Sequence, residues 1–188
     1  MHHLHAVVFP TRILACALAL LAGAACGRDS SAPAKPATQA TGAPSAAALP
    51  TGLVERAEPA GTHAAACKAA ARTGDEVTVV GRIGGSRRPF VADAAVFTIV
   101  DPALRSCKDM GDHDHCRTPW DYCCEDRDAM KRGMVTVEIT DDAGTPLPIA
   151  LEGVSGLEPL ATVAVTGTVV EWNESGAMVV RARKITLK

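Results

Sequence analysis

Aromatic side chains are almost missing from this 188-residue chain, with three Phe, two Trp and one Tyr making up 3% of it. Proteins that bind single strands stack bases on such rings within a basic groove, so the scarcity argues against that class. An excess of positive charge is missing too. Lys and Arg number 19 against 21 Asp and Glu, a formal net charge of −2, which offers a polyanion no attractive field. No nucleic acid partner is expected. The common catalytic fingerprints are also absent: no Walker A, G-x-G-x-x-G, G-x-S-x-G, H-E-x-x-H or C-x-x-C-H. No catalytic residue set can be named, and the chain is read as non-enzymatic. Apolar runs are short, the longest being Ile13–Ala25 at 13 residues, against the roughly 20 that a spanning helix needs.

That short run has a different use. Residues 1–25 carry no acid, a single Arg12, and small residues just before Cys26, the layout of a secretory signal peptide. The segment resembles bacterial lipoprotein precursors, in which a small-residue lipobox precedes a Cys that receives the lipid. Gly23 stands where that family has Leu, and ordinary cleavage after Ala24-Ala25 is the alternative. The resemblance implies lipidation of Cys26 and a membrane partner reached through an N-terminal lipid. With Gly27 rather than Asp after the Cys, it implies sorting to the outer membrane, facing the periplasm. His2, His3 and His5 lie in the removed segment and receive no role.

Residues 26–61 follow as the lipidated Cys and a tether. Pro, Ala, Ser, Thr and Gly dominate, and such a stretch buries too little apolar surface to offset its ordering entropy. Leu53-Val54 is its one apolar pair, with docking as a conceivable role.

From residue 62 the pattern changes, and 62–188 is read as one domain. His63–Arg72 is Ala-rich and reads as a helix with a stop at Gly74. Five strand-like stretches follow: Glu76–Ile83, Ala94–Asp101, Met134–Asp141, Ala161–Trp172 and Ala177–Leu187. Several alternate with period two, as in Val135, Val137 and Ile139. Gly81, Gly84, Gly85 and Gly167 sit where strands of a small barrel would bend. Asn173–Gly176 reads as a hairpin turn. The expected class is mainly β, a small five-stranded barrel with an N-terminal helix and a Cys-rich helical insertion, 102–133, between strands two and three. The phrases TVVGRI, FTIVD, VAVTGTV and VVRARKI resemble the strands of exported bacterial OB-type domains. The resemblance implies a Greek-key order and an envelope protein or small ligand bound on the barrel face.

The insertion holds Cys107, Cys116, Cys123 and Cys124, with His113, His115 and several acids. Loops this long in compact domains are functional or disordered. Three chemistries compete. Disulfides suit an oxidising compartment, with Cys107 and Cys116 joined to the Cys123-Cys124 doublet. A metal site built on Cys107, His113, His115 and Cys116 would take Zn or Cu, with Met110 as a further soft ligand, although C-x8-C is not a zinc-finger spacing. Under the first reading there is no cofactor. The third is thiol redox chemistry by the doublet. A helix capped by Asp121 would put Cys123 and Cys124 in its first turn and lower their thiol pKa. Cys67 is expected to be buried, and Trp120 to plug the loop onto the barrel. Arg82, Arg87 and Arg88, and Arg181, Arg183 and Lys184 on the last strand, read as solvated charge.

Overall fold

The computed structural model describes residues 48–113 and 116–188. The signal segment, Cys26 and most of the tether fall outside them. No described helix is long and apolar enough to cross a membrane.

The fold is mainly β, a closed barrel of five strands with two helices. Its short first strand β1 (Val54–Arg56) and β2 (Thr62–His63) lead into helix α1 (Ala64–Ala70). Then come β3 (Glu76–Ile83), β4 (Val96–Val100), helix α2 (Arg127–Gly133), β5 (Met134–Glu138), β6 (Thr162–Trp172) and β7 (Met178–Leu187). β3 runs antiparallel to β6 from Glu76↔Thr168 to Arg82↔Thr162, and β6 runs antiparallel to β7. β7 lies parallel to β5 at Thr136↔Val179, and β5 is antiparallel to β4. Arg82↔Val100 and Ile83↔Ile99 close the ring between β3 and β4.

The two short strands fill gaps in this ring. β3 meets β4 only at its end, and β2 pairs with Val79 and Val80 where β4 does not reach. β7 meets β5 only over residues 179–181, and β1 runs parallel to it over Ile185–Leu187. The ordered domain therefore begins upstream of residue 62. Leu53 is 5% exposed within the core, and its carbonyl accepts from Ile185 N at 2.7 Å. Ala57 N donates to Leu187 O at 3.0 Å, and the Arg56 guanidinium to Lys188 O at 2.7 Å. The apolar pair Leu53-Val54 does dock, inside a composition that otherwise reads as linker.

Period-two alternation explains the strands. Phe97 and Ile99 of β4, and Val135 and Val137 of β5, point inward with no exposed surface; half-buried residues alternate with them, except that Val100 after Ile99 is also buried. Gly81 falls on the inward parity of β3, where a Cβ would lie 2.8 Å from the Ile99 side chain. At Gly167 the β6–β7 register shifts, and a Cβ there would overlap the Arg181 carbonyl. Gly81 leaves room for the Ile99 side chain, and Gly167 lets β6 and β7 approach where their register shifts.

α1 places Ala64, Cys67 and Lys68 inward at helical spacing. It stops at Ala70 because Ala71 is already extended, earlier than the expected end at Arg72. Gly74, at φ +96°, serves the turn that follows and is not the stop. Lys68 is the unusual member, 7% exposed, with Nζ donating to the carbonyls of Lys131, Met134 and Gly176 at 2.6, 2.7 and 2.5 Å. It thereby joins α1 to the end of α2, to β5 and to the β6–β7 turn. Trp172 Nε1 donates to Lys68 O at 3.0 Å, and the Arg72 guanidinium lies 4.2 Å from the centre of its ring.

The charges of β7 are not merely solvated. Arg181 pairs with Glu138 at 3.2 Å, Arg183 with Glu76, and Lys184 with Glu55 at 2.7 Å.

Candidate metal centre

The connector between β4 and β5 starts at Asp101, which is 4% exposed. One carboxylate oxygen of Asp101 accepts from Ala65 N and the other from Ala103 N. Two backbone hydrogen bonds zip the arms of the loop together: Cys107 N to Asp121 O at 2.8 Å and Lys108 N to Pro119 O at 2.9 Å. A third, Gly85 N to Trp120 O at 3.2 Å, ties it to the barrel.

Arg82 anchors the same loop. Its guanidinium meets Asp109 at 2.6 Å, and the Asp109 carboxylate also accepts from the amide and hydroxyl of Ser106. The guanidinium holds the Asp109 carboxyl well below the usual range, at about 2. Arg82 is thus a structural partner of the loop, not the solvated residue that its basic neighbours suggested.

The ring that plugs the loop is Tyr122, 3% exposed, packed where a Cβ at Gly84 would come within 3.0 Å of Cε2. Trp120, the expected plug, is half-buried and donates from Nε1 to Arg87 O at 3.2 Å. Tyr122 Oη is buried with no hydrogen-bond partner among the described residues. Burial raises its pKa.

The arrangement brings sulfurs together. Cys107, Cys116 and Cys123 place their Sγ atoms within 4.8 Å of one another. Cys123 is the hub: its Sγ lies 3.4 Å from that of Cys107, 3.9 Å from that of Cys116 and 3.9 Å from that of Cys124. Cys107 is 1% exposed, Cys116 intermediate, and Cys123 and Cys124 are exposed. Cys67, 5% exposed on α1, is buried in the core, and burial raises its pKa.

These separations fit sulfurs that share one metal ion. Zn–S bonds of about 2.3 Å at tetrahedral angles hold sulfurs about 3.8 Å apart. A disulfide needs about 2.05 Å. Of the four residues expected to ligate metal, Cys107 and Cys116 belong to the group. The His113 side chain and all of His115 lie outside the described residues. Cys123 completes the group, and the C-x6-C spacing from Cys116 gave no sign of it.

The doublet does not sit in a helix. α2 begins at Arg127 with Asp126 as its cap, accepting from Ala129 N at 2.8 Å, so Cys123 and Cys124 occupy the turn before it. Asp121, the expected cap, instead accepts from the amide of its neighbour Tyr122. Acids precede the doublet and follow it, and periodicity cannot say which one caps. The consequence for reactivity is a reversal. Hydrogen bonds with Cys107, Cys116 and Cys124 push the Cys123 thiol up to about 12. Burial raises Cys107. Cys116 is lowered, chiefly by the Thr118 hydroxyl 3.3 Å away.

No protein-family model matches the chain, and no curated protein matches it. Among solved structures, the hypothetical protein ygiW from E. coli is similar over 71% of this chain and 95% of its own, at 15% identity and a TM-score of 0.36.

Proposed function

We propose that this chain is an exported, lipid-anchored envelope module in which an OB-like Greek-key barrel presents a cysteine loop that binds one soft metal ion, Zn or Cu(I). The observation that carries the reading is the convergence of Cys107, Cys116 and Cys123 within 4.8 Å. Three thiolates are soft donors and select these ions over Mg or Ca. The strand order β3-β4-β5-β7-β6, closing back on β3 with one parallel contact, supports the OB-like assignment. The Arg82–Asp109–Ser106 cluster fixes the loop that bears Cys107, as supporting residues do around metal ligands. Cys26 supplies the anchor and the Pro/Ala-rich tether the reach, with the outer membrane as the destination implied by Gly27. The reading is non-enzymatic.

The test is anaerobic titration of the reduced full chain with Zn or Cu(I), followed by native mass. One ion per chain is expected, with Cys107→Ser, Cys116→Ser and Cys123→Ser each losing it. A reduced chain that takes up no stoichiometric ion sinks the proposal.

A second reading, a binding or structural module with a disulfide-stapled loop, rests on the nearness of Cys107 and Cys123, whose sulfurs at 3.4 Å would have to close to about 2.05 Å to bond. It would show as an oxidised chain lighter by the hydrogens of its bridges and indifferent to chelators.

A further inference from the structure

The sulfurs are graded in depth. Cys107 is sealed, Cys116 is intermediate, and Cys123 and Cys124 reach the surface. Cys124 lies outside the group whose sulfurs are mutually within 4.8 Å, yet its Sγ is 3.9 Å from that of Cys123. It is therefore misplaced as a fourth ligand and well placed as a neighbour of the outermost one. Of the doublet, Cys123 belongs to the mutually close group and Cys124 does not. The result is a line of sulfurs from solvent to core, Cys124 to Cys123 to Cys107, with steps of 3.9 and 3.4 Å. Soft ions pass along such lines by exchange of one thiolate for another, so each step needs an incoming sulfur within about the 3.8 Å that separates two sulfurs sharing one ion.

We infer that Cys124 is the receiving thiol of the site, the side chain that takes a soft metal ion from a thiol-bearing donor and passes it to the Cys107–Cys116–Cys123 group. In the first step the metal–sulfur bond to the donor breaks as the bond to Cys124 Sγ forms. The Cys124 proton leaves with the donor sulfur, which departs as a thiol. In the second step Cys123 Sγ displaces Cys124, the proton of Cys123 moves to the released Cys124 thiolate, and Cys107 and Cys116 release any thiol proton to solvent as their sulfurs bond the ion. The ion keeps its oxidation state throughout, so no oxidant or reductant is required. The partner implied is a small thiol or a cysteine-bearing protein with an exposed metal-loaded sulfur. This inference rests on the metal reading above.

The experiment loads the reduced full chain under anaerobic conditions with Cu(I) from two sources, its glutathione complex and its acetonitrile complex. Uptake is followed in a stopped-flow instrument by thiolate-to-metal absorption in the ultraviolet. Parent and Cys124→Ser are expected to reach the same one-ion endpoint. From the glutathione complex the variant should load several-fold more slowly, because of the two exposed thiols only Cys123, itself a ligand of the final site, is left to attack. From acetonitrile, which needs no thiol exchange, the two should load alike. Equal rates from glutathione would overturn the inference and leave the metal site intact. A variant that fails to reach one ion would make Cys124 a ligand, which also overturns it. A parent that takes up no ion from either source would bring down the metal reading itself, a distinct result. Far-ultraviolet circular dichroism of Cys124→Ser confirms that the comparison is between folded chains.

Discussion

Replacing Lys68 by Met tests whether a buried ammonium holds the helices to the barrel. Lys68 Nζ donates to three carbonyls at 2.5 to 2.7 Å. Two of these, Lys131 O and Met134 O, lie at the C-terminal end of α2, where the helix leaves carbonyls unpaired and its dipole favours a cation. Hydrogen bonds to a charged group are worth about 1.5–3 kcal/mol each, so three of them give roughly 5–9 kcal/mol. Against this stands the cost of burying the ammonium, several kcal/mol, whose sign is visible in the lowered Lys68 pKa. Met keeps the volume and the apolar stem but leaves three acceptors unpaired. The balance is a loss of about 2–4 kcal/mol, or a Tm lower by roughly 10 °C for a domain of this size. Urea denaturation followed by circular dichroism measures it, with the slope unchanged if only stability is affected. A Lys68→Met chain as stable as the parent would refute the reasoning, because desolvation would then cancel everything that the three carbonyls contribute.

Other perturbations follow the same logic. Leu53→Ala should cost about 2–4 kcal/mol in urea denaturation, because Leu53 is 5% exposed within the core; a neutral result would return this segment to the tether. Tyr122→Phe should raise stability by about 1 kcal/mol, since it removes a buried hydroxyl that has no partner among the described residues; a destabilised variant would reveal a bound water at that oxygen. Asp109 has a folded pKa of about 2, below the ordinary 3.8 of an unperturbed Asp. Its contribution is therefore complete above about pH 4 and lost as pH falls through 2. Asp109→Asn should lower stability at pH 7 by about 1 kcal/mol, after discounting for its one-third exposure, and flatten the acid limb. An acid limb identical to that of the parent would count against the pairing with Arg82.

The barrel was legible in the sequence because period-two alternation is set by burial on one face. Val135 and Val137, or Phe97 and Ile99, announce their strands without help from the rest of the chain. Gly167 was legible as an irregular point of its strand, where the register shifts, whereas Gly81 lies in a continuous ladder and makes room for Ile99. β1 was not legible: three residues, Val-Glu-Arg, carry no alternation, and their ordering comes from the open edge of β7. The site was half legible. Cys107 and Cys116 could be picked out by residue type, but Cys123 could not be separated from Cys124. Only the turn before α2 decides which member of the doublet faces inward. Tyr122 and Trp120 posed the same problem, two rings two residues apart with one vacancy, and the space above Gly84 took the Tyr.

The parallel contact between β1 and β7 makes the two ends of the ordered domain neighbours. Arg56 bonds to the carbonyl of Lys188, and Ala57 to that of Leu187. Most domains fray independently at their termini. Here one short ladder secures both, so loosening either end means unfastening the other. A pull transmitted along the N-terminal segment would load β7, the strand shared by β1, β5 and β6, before any other part of the barrel.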